Sequence, residues 1–508
     1  MIPGMSRIYC NERPTRSSLR ALRPAWLLVL SIALMLVPLS NPTAAVYAGA
    51  GAIVNPHQVY TYDIMVRDMK ALAARYPDLV SVKSLGASEY GRGIWSLDLG
   101  RGDAVVMLNG AHHAREWITT ILLMTMADRY AQAYEAGSSW NGYSVRDLLD
   151  HVTFRLVPMV NPDGVTLQQK GLAAFPPSVR PALLAMNGGS GNFKRWKANA
   201  KGIDLNRQYP ADWQHISKPE PGPRYMNYKG KQPLQAKEAR IMAEATQAAN
   251  PEIAVAYHSS GEILYWNFNT PAGNVRRDRA LAGRMSAMNG YRIMPAVRNP
   301  SGGGYTDWFI QTFGRPGLTP ELGRAVGETH VPLSEFGRIW QRNRDTGWLL
   351  AAEAYKLWLG RQKPAAAYGE VRLLTPLRPS KLPSLEAAKL PALYPGKYRT
   401  VRSKGDWLEL RTASGTVWVP ERAVLPGPFE VLPNTPLAVG PDTPLYRSPL
   451  APRPDGVAMP QAEEALALER WREWYLVRTS AGVRWVKAAD AVPAGPQTEE
   501  EGLPDASA

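Results

Sequence analysis

The spacing of apolar and polar positions changes once along the chain, close to residue 360. Before this point, apolar runs typical of buried strands occupy 79–84, 94–99, 105–108, 152–160 and 253–257. Apolar positions with helical spacing occupy 62–76, 117–134, 236–249, 278–289 and 338–359. This alternation predicts an α/β domain over 55–360, in which helices cover both faces of a mixed sheet.

After the change, the helical spacing disappears and short alternating segments take its place. Proline is frequent between 364 and 395, which indicates turns and extended segments. We therefore predict a linker at 361–368, two small all-β modules at 369–427 and 428–495, and a disordered acidic end at 496–508.

The two predicted modules share an internal repeat, in which 407–419 aligns on 474–486 without a gap. Each copy reads as a β-hairpin with a tryptophan on either side of its turn. The shared tryptophans are Trp407 and Trp418 in the first copy and Trp474 and Trp485 in the second. These units resemble bacterial Src-homology-3-like barrels, which implies a possible role in binding cell-wall polymer. The alternative is that the tryptophans are core residues and bind nothing.

The N-terminal segment has the composition of a targeting signal. Five arginines precede an apolar stretch at 25–39, and small residues follow it. Since a membrane span needs about 20 apolar residues, we favour a signal peptide at 1–48 that is cleaved, with a permanent anchor as the alternative. The single cysteine, Cys10, lies in this segment, so the mature protein has no disulfide. We expect it to be secreted or associated with the cell wall.

The formal net charge is +15, and the five Arg and one Glu of the first 48 residues leave about +11 on the remainder. A basic surface attracts polyanions. No nucleic-acid-binding module is recognisable, so an anionic wall polymer or lipid is the expected partner and nucleic acid is not. The alternative, that the charge only maintains solubility, stays open.

A candidate metal site follows two of the predicted strands. His113 and Glu116 come directly after the strand at 105–108, and His258 ends the strand at 253–257. Two imidazoles and one carboxylate bind zinc and leave a coordination position for water, which is the pattern of a catalytic site. We therefore predict one Zn²⁺ per chain.

Further motifs occur in a fixed order around these three residues. They are Asn161-Pro-Asp-Gly164, Trp196-Lys-Ala-Asn199, Gly202-Ile-Asp-Leu-Asn-Arg207, Asp307-Trp308 and Thr319-Pro-Glu-Leu-Gly323. Together with the metal ligands they resemble the zinc metallocarboxypeptidase family, the relatives of pancreatic carboxypeptidase A, over about residues 57–358. The resemblance implies an eight-stranded mixed sheet and a peptidase activity.

The resemblance also implies roles for single residues. Glu321 matches the general base that takes a proton from the attacking water. Asn206 and Arg207 match the pair that binds the terminal carboxylate of the substrate, a task that suits the forked guanidinium. Arg115 matches a second position along the substrate path, with a surface ion pair as the alternative.

The chain departs from carboxypeptidase A at two positions. The oxyanion-stabilising arginine of the family falls on Lys197, which offers a point charge without the guanidinium fork. The mobile tyrosine that caps the substrate falls near Asn299, and Tyr305 is the candidate to replace it. Thr306 falls at the base of the side-chain pocket, where a neutral hydroxyl argues against a pocket dedicated to basic side chains.

The motifs at 196–199, 204–207 and 258–262 look like those of the bacterial branch that cleaves the γ-D-glutamyl bond before meso-diaminopimelate in peptidoglycan stem peptides. Export and basic charge agree with this hypothesis. Two alternatives stay open, namely a general extracellular metallocarboxypeptidase and an inactive wall-binding protein. We expect a monomer.

Overall fold

The computed structural model describes residues 51–298, 300–451, 454 and 457–493. These residues fall within one compact unit. The predicted signal peptide at 1–48 and the predicted disordered end at 496–508 lie outside them. Within the described part, no helix is both long enough and apolar enough to cross a membrane.

The first part of the described chain alternates strands and helices. Its strands are β1 (Val80–Ala87), β2 (Gly93–Gly100), β3 (Ala104–Gly110), β4 (Ser139–Trp140), β5 (Tyr143–Ser144), β6 (Val152–Val157), β7 (Ile253–Tyr257), β8 (Ile263–Tyr265), β9 (Arg292–Ile293) and β10 (Gly317–Glu321). Its helices are α1 (Tyr62–Arg75), α2 (Ile118–Glu135), α3 (Val145–His151), α4 (Pro162–Lys170), α5 (Arg180–Met186), α6 (Lys237–Ala249), α7 (Ala272–Asn289), α8 (Tyr305–Phe313), α9 (Phe336–Asn343) and α10 (Thr346–Arg361).

One large sheet organises this α/β domain. Its eight strands lie in the order β1-β2-β6-β3-β7-β10-β8-β9, and β4 pairs with β5 as a separate small hairpin. The central strands β6, β3, β7 and β10 are mutually parallel, whereas β1 and β2 run antiparallel at one edge. Because β3, β7 and β10 are parallel neighbours, their carboxyl ends meet at one edge of the sheet.

Both faces of the sheet are buried under helices, as the continuous apolar runs of its central strands require. Val106 and Leu108 of β3 and Val255 of β7 belong to the core on the side of α2 and α10. Met107 and Ala254 belong to the core on the side of α6 and α8. The predicted fold class, a mixed eight-stranded sheet between helices followed by small all-β modules, is confirmed.

The prediction of a single helix over 338–359 is wrong, because two helices, α9 and α10, occupy this range and the chain breaks between them. The buried side chain of Asn343 at the end of α9 donates to the hydroxyl of Tyr291 at 3.0 Å and to the carbonyl of Ile339 at 2.9 Å. The hydroxyl of Thr346 donates to the carbonyl of Asn343 at 2.7 Å. These side chains compete with the helical hydrogen bonds and end α9, although the apolar spacing continues across the break.

Ten further strands follow the α/β domain. Module 1 contains β11 (Ala365–Leu373), β12 (Gly396–Lys404), β13 (Trp407–Thr412), β14 (Gly415–Pro420) and β15 (Val424–Pro426). Module 2 contains β16 (Glu430–Val439), β17 (Glu463–Trp471), β18 (Trp474–Thr479), β19 (Gly482–Lys487) and β20 (Ala491–Pro493). Each module is a five-stranded antiparallel sheet, and the strand orders β14-β13-β12-β11-β15 and β19-β18-β17-β16-β20 are equivalent.

The predicted linker at 361–368 is wrong. Helix α10 ends at Arg361 and β11 begins at Ala365, so only 362–364 separate them. Ala365 pairs with Ser403 of β12, and this pairing makes the proline-flanked segment a strand.

Module 1 contacts the α/β domain through the tryptophans of the repeat. The ring of Trp407 is fully buried and lies parallel to the imidazole of His151, with ring centroids 5.7 Å apart. The indole N–H of Trp407 donates to the hydroxyl of Tyr355, and both Tyr355 and His151 donate to the carboxylate of Asp406. Trp407 and Trp418 are therefore part of the core that α2 and α10 enclose.

Module 2 contacts module 1 in a similar way. Trp474 and Trp485 pack with Leu425 of module 1, and the indole N–H of the neighbouring Trp471 donates to the carbonyl of Pro426 at 2.7 Å. All the tryptophans shared by the repeat are buried. They hold the modules in place, and their rings are not open to a ligand.

Replacing Trp407 by alanine is expected to lower the free energy of unfolding by about 3–5 kcal/mol, because a large buried side chain is lost at a junction that cannot close around the gap. Urea denaturation followed by circular dichroism measures this change. Tyr368→Ala is the matched control, since Tyr368 is an aromatic residue of module 1 that is 88% exposed. A loss below about 1 kcal/mol for Trp407→Ala would contradict the structural role.

Candidate metal centre

The first two predicted ligands lie in a tight turn between β3 and α2. Residues Ala114–Glu116 form one turn of 3-10 helix. The hydroxyl of Thr119 accepts the backbone N–H of Ala111 at 2.8 Å and donates to the carbonyl of Glu116, also at 2.8 Å. This turn aims both His113 and Glu116 at the carboxyl ends of the parallel strands.

The third predicted ligand follows β7, the neighbour of β3. The backbone N–H of His258 donates to the carbonyl of Pro320 at 3.0 Å, and the N–H of Leu322 donates to the carbonyl of His258 at 2.8 Å. These bonds extend the parallel pairing of β7 and β10 by one residue, so that His258 and Glu321 are side by side. The ends of β3, β7 and β10 thus bring together both histidines and both glutamates.

The ligand atoms of the three residues converge on one point. Nδ1 of His113 lies 2.8 Å from Oε1 of Glu116, and Nδ1 of His258 lies 2.9 Å from Oε2 of the same carboxylate. The two Nδ1 atoms are 3.1 Å apart. All three residues are buried, and their ligand atoms lie within 4.8 Å of one another. Two imidazole nitrogens and one carboxylate in this arrangement fit a zinc ion.

The electrostatics of Glu116 also favour a cation. Burial alone would raise the pKa of this carboxyl, but His113 and His258 lie against it and hold the pKa well below its usual value. Glu116 is therefore ionised and ready to bind a metal throughout the physiological range of pH.

Asp204 orients His113, a role that was not among the predictions from the sequence. Nε2 of His113 donates to Oδ1 of Asp204 at 3.2 Å, which leaves the lone pair on Nδ1 free for a metal. Burial works to raise the pKa of Asp204, but Lys197, His113 and Arg207 hold it well below its usual value. Asp204 lies within the motif at 202–207, but no spacing in the sequence links it to His113, which is 91 positions away.

Replacing Asp204 by asparagine is expected to weaken zinc binding by about 10–100-fold, because His113 loses the charged acceptor that fixes its tautomer. Competition with a chromogenic chelator measures the affinity. Asp212→Asn is the matched control, since Asp212 is in the same segment and its side chain pairs with the exposed His215. Equal zinc affinity for Asp204→Asn and the parent protein would rule out the orienting role.

Glu321 ends β10 and faces the metal site. Burial, and then the negative charge of Glu116, raise the pKa of Glu321 to about 7, although His258 and Lys197 oppose the shift. A carboxyl with a pKa close to neutral can both take up and release a proton at physiological pH, which is what a general base requires.

A cavity of about 170 Å³ opens beside His113. Its walls include Lys197, Asn206 and Arg207, three of the predicted site residues. Nζ of Lys197 lies 3.4 Å from Oδ2 of Asp204. The lysine charge is therefore held at the edge of the metal site, between the metal ligands and the cavity.

The glycine-rich loop at 301–304 forms another wall of the cavity, and Asp307 lies beside it. The N–H of Gly303 donates to the carbonyl of Ala211 at 2.8 Å. A Cβ at Gly302 would lie 2.0 Å from the same carbonyl oxygen, so only glycine permits this approach. The amide oxygen of Asn206 accepts the N–H of Tyr305 at 3.0 Å, which fixes Asn206 against the loop. Arg207 donates to the carbonyl of Ser217 at 2.9 Å and keeps its guanidinium in the cavity wall.

The prediction that Tyr305 replaces the capping tyrosine is wrong. Tyr305 is the first residue of α8, and its side chain is fully buried between the helix and the sheet. Its hydroxyl lies 2.9 Å from that of Thr246 on α6, so it cannot reach a substrate. Asn299, the position near which the family's tyrosine falls, lies outside the described residues.

Thr306 and Arg115 take different positions around the centre. The hydroxyl of Thr306 lies 2.7 Å from that of Thr319. Thr319 is two residues before Glu321 on β10, so the side chains of Thr319 and Glu321 point to the same side of the strand. Thr306, which contacts Thr319, therefore lies on the same side of β10 as Glu321. Arg115 is half-buried and donates to the carbonyl of Arg195 at 3.1 Å. The substrate contacts of both residues remain predictions.

Comparison with known proteins places this centre in a family. The model of the zinc carboxypeptidase family matches residues 65–346. Gamma-D-glutamyl-L-diamino acid endopeptidase 1 of Lysinibacillus sphaericus is 38% identical over 292 residues, which cover 57% of this chain and 71% of that protein. The uncharacterized protein YqgT of Bacillus subtilis (strain 168) is 31% identical over 299 residues, which cover 58% of this chain and 78% of that protein.

Among solved structures, thrombin activatable fibrinolysis inhibitor is 17% identical with a TM-score of 0.49, over 61% of this chain and 79% of that chain. The family match spans more than half of the sequence and includes every residue of the metal centre. It confirms the predicted enzyme class, a zinc metallopeptidase, and the predicted cofactor. This chain belongs to the zinc carboxypeptidase family.

Proposed function

We propose that this enzyme is exported and hydrolyses the γ-D-glutamyl–meso-diaminopimelate bond of peptidoglycan stem peptides. The observation that carries the proposal is the charged cavity next to the metal site, in whose walls Lys197 and Arg207 lie beside Asp204 and Asp307. The segment 170–237, which supplies four of the nine residues in these walls, holds 12 Lys and Arg against three Asp and Glu. Such a surface suits a peptide with several free carboxylates, as stem peptides are.

The likeness to a gamma-D-glutamyl-L-diamino acid endopeptidase supports the choice of bond. This relative is 38% identical over 292 residues, and its name specifies the linkage that it cleaves.

On the leaving-group side of the bond, Arg207 and Asn206 hold the free carboxylate of the released residue. The guanidinium offers two parallel N–H groups to a carboxylate, and the bond from Arg207 to Ser217 keeps it in the cavity wall. This anchoring positions the peptide bond next to the metal site, and orientation of this kind lowers the barrier without any chemical step.

The bond-breaking step uses Glu321 and Lys197. Zinc, when bound, supplies a Lewis acid that polarises the scissile carbonyl and makes water more acidic. Glu321 takes the proton from the attacking water and then gives it to the departing amine. The ammonium of Lys197 stabilises the negative charge that develops on the carbonyl oxygen.

The activity is expected to fall as the pH drops below about 7, because Glu321 must be ionised to accept a proton. Burial and the charge of Glu116 raise the pKa of Glu321 to about 7, and a bound cation shifts it downwards. The acid limb of the profile of kcat/KM against pH is therefore expected at or below pH 7. A rate that rises as the pH falls below 6 would contradict an ionised Glu321.

The test of the proposed function is digestion of the defined stem peptide L-Ala-γ-D-Glu-meso-diaminopimelate by the zinc-loaded protein, followed by mass spectrometry. Release of meso-diaminopimelate, lost in the Glu321→Gln variant, is the expected result. Release of C-terminal residues from ordinary L-peptides without cleavage of the stem peptide would favour a general metallocarboxypeptidase. That alternative has support from Arg207, which can anchor any terminal carboxylate.

Export is part of the same proposal and has its own measurement. The basic and apolar segment at the N-terminus supports it. Fractionation of the native cells, with N-terminal sequencing of the recovered protein, is expected to find a mature chain that begins close to residue 49, outside the cytoplasm. A full-length chain in the cytoplasm would refute export and leave the proposed reaction untouched.

A further inference from the structure

Arg115 lies between two metal ligands, and no acidic side chain of the described residues pairs with it. It occupies the 3-10 turn between His113 and Glu116. Its side chain is half-buried, and its Nη1 donates to the carbonyl of Arg195 at 3.1 Å. Among the residues that the structure describes, no ion pair engages Arg115, although salt bridges satisfy Arg92, which precedes β2, and Arg155 of β6. A half-buried guanidinium that no protein carboxylate pairs with can bind a carboxylate of a ligand.

The backbone fixes the position of this guanidinium. The N–H of Ala114 donates to the carbonyl of Lys197 at 2.9 Å, so the turn with Arg115 lies against the segment 195–197. The side chain of Arg195 is itself committed, since it bonds Asn187 and lies over the ring of Tyr225 at 4.0 Å. Arg115 is therefore the cation of this pair that remains available to a substrate.

Arg115 and Arg207 serve different sides of the metal site. Arg207 is in the wall of the cavity that receives the leaving group, together with Lys197. Arg115 does not line that cavity, yet the ligands on either side of it place it next to the metal. When the leaving group fills this cavity, the acyl part of the peptide lies on the other side of the scissile bond, and Arg115 is a cation outside the cavity on the turn that carries His113 and Glu116.

We propose that Arg115 binds the free α-carboxylate of a γ-linked glutamyl residue and so selects γ-glutamyl bonds over ordinary α-linked bonds. In a γ-linked residue the scissile carbonyl belongs to the side chain, and the α-carboxylate remains free two methylenes and one carbon away. An α-linked residue has an amide in that region, which a guanidinium binds less strongly. This inference rests on the proposed function and adds the group that recognises the linkage.

The experiment compares two stem peptides that differ in one group. One carries the free α-carboxylate on γ-D-Glu, and the other carries an α-carboxamide at the same position. We expect the parent enzyme to prefer the acid by about 10–100-fold in kcat/KM, as for a lost charged hydrogen bond. In Arg115→Gln this preference is expected to fall close to one, and Arg115→Lys is expected to keep part of it. Zinc content is measured in parallel.

Arg180→Gln is the matched control, because Arg180 is also half-buried and donates to a backbone carbonyl, that of Phe175. This control is expected to keep the full preference for the acid. Equal rates on both peptides with the parent enzyme would overturn the role of Arg115 while the proposed function stands, and so would an unchanged preference in zinc-loaded Arg115→Gln. Failure to cleave either peptide would instead refute the proposed function.

Discussion

Glutamine at position 321 is expected to lower kcat/KM by about 1,000-fold and to leave the zinc content unchanged. The amide has nearly the shape of the carboxylate but cannot accept the proton of the attacking water, and loss of a general base costs about 100- to 10,000-fold. Glu321 is not one of the three ligands, so the metal remains bound. Steady-state kinetics on the cleaved peptide, with zinc measured by elemental analysis, tests both parts.

Glu328→Gln is the control for this substitution. Glu328 lies seven positions further along the chain, is exposed, and meets the hydroxyl of Tyr225 at 3.3 Å. It is expected to leave kcat/KM within about twofold, since it does not face the metal site. If Glu321→Gln kept more than a tenth of the parent activity, another group would have to be the base.

Alanine at position 258 is expected to abolish both stoichiometric zinc binding and activity. His258 is 2% exposed, and its Nδ1 completes the set formed with His113 and Glu116. Two protein ligands do not hold zinc against dialysis as three do, and without the metal the carbonyl is not polarised. Zinc content after dialysis and kcat/KM are the measurements, and activity is expected to fall at least as far as in Glu321→Gln.

His215→Ala is the control for the loss of an imidazole, because His215 is exposed and pairs only with Asp212 in the described structure. It is expected to keep one zinc per chain. A His258→Ala protein that also kept one zinc per chain after dialysis would show that the metal is bound elsewhere.

The sequence was sufficient to predict that the metal ligands and Glu321 come together, because His113, His258 and Glu321 each follow or end a strand that its own residues specify. His113, His258 and Glu321 come at the ends of β3, β7 and β10, and parallel strands bring their carboxyl ends to one edge. The order of the motifs then identified the family. Local sequence patterns were thus enough to identify most residues of the metal centre.

Contacts between distant segments could not be predicted in this way. Asp204 meets His113 across 91 positions of the chain, and no local spacing reveals such a contact. Tyr305 was the candidate to replace the missing tyrosine because it is a phenol a few residues from Asn299, but the first turn of α8 directs its ring into the core. The hairpins of the repeat could be predicted from alternating apolar and polar residues and from the turn residues. The burial of their tryptophans could not, because it depends on how module 1 packs on the α/β domain and module 2 on module 1.

The junction at Trp407 also sets a limit on how far the chain can be shortened. The family match ends at residue 346, and α10 ends at Arg361. A fragment cut there would leave the side chains of His151 and Tyr355 without Asp406 and uncover the surface that Trp407 fills. The shortest fragment with the stability of the peptidase domain therefore extends to Pro426, so the smallest folding unit is larger than the unit that carries the chemistry.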